Sequence, residues 1–161
     1  MFLYLIPFVI VLAADQITKF LVASKMDVSD SFTFIPKFMD ITFVHNQGAA
    51  FGILQNKKVL LIVVSLLIFA AVVWYIVRYK PRSKWIMWSL TLITAGGLGN
   101  IIDRVSLSYV RDFLDETFSK FDFPVFNIAD IGITVGAALL VVYFIFFDKE
   151  GKDAKNKTET D

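Results

Sequence analysis

The stretch VLLIVVSLLIFAAVVWYIV, residues 59–77, runs for 19 positions without a charge. At about 1.5 Å per helical residue it covers a hydrocarbon core of about 30 Å, so it reads as a membrane span. Working outward, WIMWSLTLITAGGLGNII, residues 85–102, supplies a second span of 18 uncharged residues. IGITVGAALLVVYFIFF, residues 131–147, adds 17 more, and it becomes a full span where residues 126–130 form its first turn behind Pro124. The start of the chain is apolar for 14 positions and then carries Asp15 and Lys19. No Lys or Arg precedes that run and no small-x-small site closes it, so it is expected to stay as a span rather than be removed as a signal peptide. Four spans, at about 2–23, 59–77, 85–102 and 126–147, predict an all-α, four-helix membrane bundle forming one domain over 1–147.

Composition agrees. The 161 residues are 57% hydrophobic, above the roughly 45–50% of ordinary soluble domains. The absence of cysteine excludes disulfides, thiolate metal sites and Cys nucleophiles. A net charge of +1 and no basic stripe interleaved with aromatics argue against a nucleic-acid partner.

Arg78, Lys80, Arg82 and Lys84 lie between spans two and three, and Lys149, Lys152, Lys155 and Lys157 follow span four. The positive-inside rule makes both regions cytoplasmic, with both termini inside and residues 24–58 and 103–125 outside. The tail 148–161 is charged, lacks an apolar face and is expected to be disordered. In the first outer segment, alternation in 32–34 and 41–44 around Pro36 predicts a small extracytoplasmic β-sheet. In the second, Phe113, Leu114, Phe118, Phe121 and Phe123 among Asp115, Glu116, Lys120 and Asp122 predict an amphipathic helix or loop in the interface.

Charges near membrane depth are costly, at about 2.5–3.5 kcal/mol on insertion scales, so they pair, face a bundle interior or do chemistry. Four places raise the question. DQITK, 15–19, sets Asp15 and Lys19 on one helical face, where a plain ion pair is the simplest account. NQGAAFG, 46–52, is by itself a turn. GGLGNIIDR, 96–104, combines close-packing glycines with Asn100, Asp103 and Arg104 at a helix end. Arg104 is suited to bridge a carboxylate. FNIAD, 126–130, resembles a capping box on Asn127 and Asp130, followed by a small-residue face at Gly132 and Gly136. Topology sends all four to the outer face.

The inventory then narrows the chemistry. His45 is the sole histidine, so His-based zinc sites and a Ser-His-Asp triad are poorly supplied, and no serine stands beside Lys19 for a Ser-Lys dyad. Carboxylates remain: two aspartates sharing a proton can activate water and polarise a carbonyl. The candidates are Asp103, Asp112 and Asp130, and spacing does not choose among them. Asp130 at a helix N-terminus suits the ionised role, whereas Asp103, beside Arg104, looks like an ion-pair member.

With DQITK, NQGAAFG, GGLGNIIDR, VRDF and FNIAD in order over about 15–136, the chain resembles the lipoprotein signal peptidases, or signal peptidase II. The resemblance implies that Asp112 and Asp130 are the catalytic pair, that Asn46, Gly48, Asn100, Arg104, Asn127 and Ala129 line the site, and that Asp15 and Lys19 support it. It further implies cleavage of diacylglyceryl-modified prolipoproteins on the amino side of the lipidated Cys in a bacterial cytoplasmic membrane, without metal or organic cofactor. Membrane lipids are implied partners, and globomycin-type peptide antibiotics implied inhibitors. Departures fall at Arg111, where the family commonly has Val, at Ser108, where it has Gly, and at Ile131, where it has Ser. The rival readings are a proton- or ion-coupled transporter relaying through Asp15, Lys19 and Asp130, and a structural bundle.

Overall fold

The computed structural model describes residues 2–48, 53–55, 57–119 and 123–147. The element order is α1 (Phe2–Lys25), β1 (Ser31–Ile35), β2 (Met39–Asn46), α2 (Lys58–Tyr79), α3 (Lys84–Leu107), β3 (Val110–Glu116) and α4 (Ile128–Phe146). All four helices are long and apolar enough to cross a membrane. The tail expected to be disordered lies outside the described residues, as do positions 49–52 of NQGAAFG.

Between α2 and α3, hydropathy and burial run in opposite directions, as expected where lipid is the solvent for an exposed helix face. The most apolar stretch of α2 has a mean hydropathy of 3.0 and is 6% buried, whereas that of α3 has 1.4 and is 61% buried. Helix α3 is therefore the central helix, packed by α1, α2 and α4, and the less apolar sequence lies where protein replaces lipid.

Glycines set the closest approach, between α3 and α4. A Cβ at Gly96 would collide with the carbonyl oxygen of Ala129, and one at Gly136 would meet the Ser89 carbonyl at 2.7 Å. The small-residue face expected at Gly132 and Gly136 does pack, with the Leu92 carbonyl 3.3 Å from where a Gly132 Cβ would stand. Without a hydrophobic force between helices in lipid, such backbone proximity is what dispersion and packing require.

Helix ends are closed locally. Ser83 caps α3, accepting from the Ile86 N–H at 3.5 Å. Ser108 ends it in the left-handed region at φ 78°, a conformation that costs a non-glycine residue some strain. Lys80 ends α2 in the same region, with Pro81 next.

The connections carry an antiparallel sheet in the order β1-β2-β3. The β1–β2 hairpin forms around Pro36 as the alternation predicted. The amphipathic-helix expectation for the second outer segment is corrected: its residues through Glu116 form β3, paired to β2 with Val44 opposite Asp112 and His45 opposite Arg111. Phe113 is 3% exposed and does not face lipid. The unpaired edge of β2 offers backbone partners that an isolated interfacial helix of this length cannot match, so pairing overrides the local pattern. Phe118 stays exposed and stacks on Phe38 at 5.2 Å between ring centroids. Residues 120–122 lie outside the described chain.

A short bridge joins the sheet to the last helix. Leu114 and Phe126 exchange backbone hydrogen bonds of 2.8 and 2.9 Å, which fastens the start of α4 to β3.

Candidate functional site

Because β1, β2 and β3 all connect the C-terminal ends of α1 and α3 to the N-terminal ends of α2 and α4, the sheet and those four helix ends share one end of the bundle. The polar motifs meet there. Asp15, Lys19, Asp103 and Asn127 are each 0% exposed and Asp112 is 2% exposed.

Asn127 is the hub. As N-cap of α4 its side-chain oxygen accepts from the Asp130 N–H at 3.0 Å, and the Asp130 carboxylate accepts from the Asn127 N–H at 3.2 Å. The capping box read in FNIAD is thus complete on both sides. The Asn127 amide nitrogen has a second task, donating to Asp112 Oδ1 at 2.6 Å and to Asn100 Oδ1 at 3.3 Å. One residue therefore fixes both carboxylates. Asp112 Oδ2 accepts from Asn46 Nδ2 at 2.8 Å, and Asn46 in turn accepts from the Gly48 N–H at 2.8 Å. Asp130 Oδ1 accepts from Asn100 Nδ2 at 2.8 Å.

Beneath this pair lies a buried charge network. Lys19 Nζ stands 2.9 Å from Asp15 Oδ2, donates to Asn100 Oδ1 at 2.9 Å and lies 3.6 Å from Asp103 Oδ2. Asp15 also accepts the Ala129 N–H at 2.9 Å, which ties α1 to the first turn of α4. A Cβ at Gly99 would strike the Asp15 carboxylate, so the third glycine of GGLGN makes room for a charge rather than a helix backbone. Among the described residues no buried side-chain nitrogen or oxygen lacks a partner, as low-dielectric burial demands.

The residues singled out in the sequence converge here, but two pairings differ from expectation. Asp103 pairs with Arg111, not with adjacent Arg104: Arg111 Nη2 reaches Asp103 Oδ1 at 2.6 Å and Nε reaches Oδ2 at 3.1 Å. Among the described residues Arg104 bridges no carboxylate. It donates instead to the Gly48 carbonyl at 2.9 Å and to the Asn100 carbonyl at 3.5 Å, because consecutive helical residues point about 100° apart. Sequence reasoning also passed over Gln16, which donates to Asp15 at 3.0 Å and accepts from Arg111 at 3.3 Å. Its place beside Asp15 in DQITK was the available signal.

Electrostatics separates the groups outside the spans. Burial, followed by the nearby Asp130 charge, pushes the Asp112 carboxyl up to about 7, against the opposing pull of the Asn46 and Asn127 hydrogen bonds. Its hydrogen bond to Asp103 holds the Arg111 guanidinium above its ordinary value. His45 stacks on Tyr109 at 3.6 Å between ring centroids, and burial lowers its basicity.

Residues 7–146 match the family model for signal peptidase (SPase) II. The chain belongs to the signal peptidase II family. Two lipoprotein signal peptidases of Staphylococcus aureus, from strains MRSA252 and JH9, are 38% and 37% identical, each over 94% of this chain and 89% of its own length. Among solved structures, a bacterial membrane enzyme determined by the in meso method at 2.3 Å resolution superposes with a TM-score of 0.87 at 36% identity. That match covers 98% of this chain and 92% of the other. A second, at 1.9 Å, gives 0.84 at 36% identity, covering 92% and 96%. A signal peptidase II enzyme is a membrane peptidase, which agrees with the four-helix architecture.

Proposed function

We propose that the chain is an aspartyl endopeptidase that removes signal peptides from diacylglyceryl-modified prolipoproteins, cutting on the amino side of the lipidated Cys, with Asp112 and Asp130 as the catalytic pair. The observation that carries this reading is the Asn127 hub, which holds two carboxylates from different elements at one end of the bundle. Asp112, with its pKa near 7, is the protonated member. Asp130, facing the donors of the α4 first turn and Asn100, is the ionised one.

Protons balance through the cycle. Asp130 takes a proton from water as its oxygen attacks the scissile carbonyl carbon, and Asp112 gives its proton to the carbonyl oxygen, forming a gem-diol. Collapse transfers the proton on Asp130 to the departing Cys amine, while a diol hydroxyl returns its proton to Asp112. Asn46, Gly48, Asn100, Arg104, Asn127 and Ala129 line the site, and Asp15 with Lys19 supports it. Neither a metal nor an organic cofactor enters these steps.

The four basic residues of 78–84 stand at the end of the bundle away from the sheet. The positive-inside rule therefore puts both termini in the cytoplasm of a bacterium and the dyad at the extracytoplasmic face. A substrate whose signal helix and acyl chains lie in the bilayer reaches that depth laterally, among membrane lipids. Globomycin-type peptides would compete for the same place.

The test is cleavage of a diacylglyceryl-modified prolipoprotein by purified protein in detergent or lipid. Release of the signal peptide from the modified but not the unmodified precursor supports the reading; no cleavage by folded protein overturns it.

The protonated role of Asp112 also sets a pH dependence. Its proton is present below about pH 7 and lost above it, so kcat/KM is expected to fall by about tenfold per pH unit on the alkaline side of that value. A profile flat from about pH 6 to 9 would remove Asp112 as the proton donor.

A further inference from the structure

We propose that Arg111 is a positioning residue for this reaction, one that clamps Asp103 so that Lys19 stays committed to Asn100, the donor that holds Asp130. The inference rests on the two-aspartate reading above. It concerns a position where the family resemblance leads one to expect Val.

Arg111 directs its donors at Asp103. Its backbone N–H donates at 3.0 Å, Nε at 3.1 Å and Nη2 at 2.6 Å. The side chains are 13% and 0% exposed, so this is a buried ion pair rather than a surface one. A bidentate guanidinium fork onto one carboxylate is the geometry in which Arg differs most from other cations.

Four charges then balance two against two: Asp15 and Lys19 on α1, Asp103 on α3 and Arg111 on β3. With Arg111 present, Lys19 is 2.9 Å from Asp15 and 2.9 Å from Asn100 Oδ1, but 3.6 Å from Asp103. Remove the guanidinium, and among the described residues the cation left within ion-pair distance of the buried Asp103 carboxylate is Lys19, at 3.6 Å. An uncompensated buried charge is costly, so Lys19 is drawn toward Asp103. Asn100 Oδ1 then loses its charged donor and keeps the longer bond from the Asn127 amide at 3.3 Å, so the Asn100 amide that donates to Asp130 at 2.8 Å is held less firmly. Arg111 also precedes Asp112 in β3, so its backbone bond to Asp103 anchors the strand one residue from the proton donor.

The experiment compares wild type, Asp112→Asn, Arg111→Met, Arg111→Lys and the double variant Arg111→Met with Asp103→Asn, all assayed on the lipidated precursor. Met fills the volume without charge; Lys keeps the charge without the fork. Arg111→Met is expected to lower kcat by about tenfold or more with KM within about twofold, as for residues that orient a catalytic shell. Arg111→Lys should recover most of that loss, and the double variant should recover a substantial part, because position 103 then carries no carboxylate to draw Lys19 away from Asn100. A double variant that folds where Arg111→Met does not carries the same meaning.

The inference is overturned by Arg111→Met within about twofold of wild type, by equal losses for Met and Lys, or by no recovery in the double variant. With wild type active and Asp112→Asn inactive, any of these outcomes leaves the peptidase reading standing. Wild type that fails to cleave overturns both.

Discussion

Replacement of Asp112 or Asp130 by Asn is expected to reduce cleavage of a lipidated precursor by at least about a thousandfold, equivalent to about 4 kcal/mol of transition-state stabilisation. An amide can neither take the proton from water nor supply the one for the carbonyl oxygen. The two variants should differ in stability. Both oxygens of each carboxylate accept hydrogen bonds, so an Asn at either position sets an NH2 group against a donor. At Asp112 the conflict can be relieved by turning the Asn46 amide, at the expense of its bond from the Gly48 N–H. At Asp130 the donors are Asn100 Nδ2 and the Asn127 backbone. Asn100 cannot turn, because its oxygen already accepts from Lys19 and Asn127. Asp130→Asn should therefore lower the thermal midpoint in detergent more than Asp112→Asn does, by the equivalent of about 1–3 kcal/mol. Cleavage above about a hundredth of wild type in either variant would sink the dyad.

Lys19→Met should be the most destabilising single change at the site, by about 3–5 kcal/mol, because it strands the buried Asp15 carboxylate. Asp103 keeps Arg111, but among the described residues the Asp15 carboxylate retains only the Gln16 amide and the Ala129 N–H. Activity should fall as well, since Asn100 loses the ammonium that orients it toward Asp130. Denaturant or thermal unfolding in micelles reads the first effect and the cleavage assay the second. The double variant Asp15→Asn with Lys19→Met removes both charges and should regain much of the stability. A single variant as stable as wild type would mean that Lys19 is not the counter-ion the geometry makes it.

The spans were readable because hydrocarbon thickness acts on sequence directly: 19 uncharged residues have few other uses. The site was legible for a related reason. Asp15, Lys19 and Asp103 are costly at that depth, so each had to have a partner or a task, and the motifs around them share one end of the bundle by connectivity alone. The alternation in β1 and β2 and the cap at Asn127 are local patterns, and both formed as their chemistry dictates.

What failed was long-range. The aromatic run at 113–123 carried a helical pattern, and only the free edge of β2 makes its first part a strand. Arg104 was the obvious partner for Asp103 by adjacency, yet helical geometry turns it toward Gly48 and brings Arg111 to Asp103 from the next element. Gln16 carried no signal of its own beyond its neighbour.

By itself the sequence determined four membrane helices, their polar end and the residue types able to do chemistry there, because the bilayer penalises each charge and each unpaired backbone group wherever they fall. The tertiary structure decided which charges meet. Asn127 reaches Asp112 only because the Leu114–Phe126 bridge fastens β3 to the start of α4, and Arg111 finds Asp103 only because β3 returns across the end of α3. Partnership between residues on different elements depends on distances that packing sets, and no local pattern encodes them.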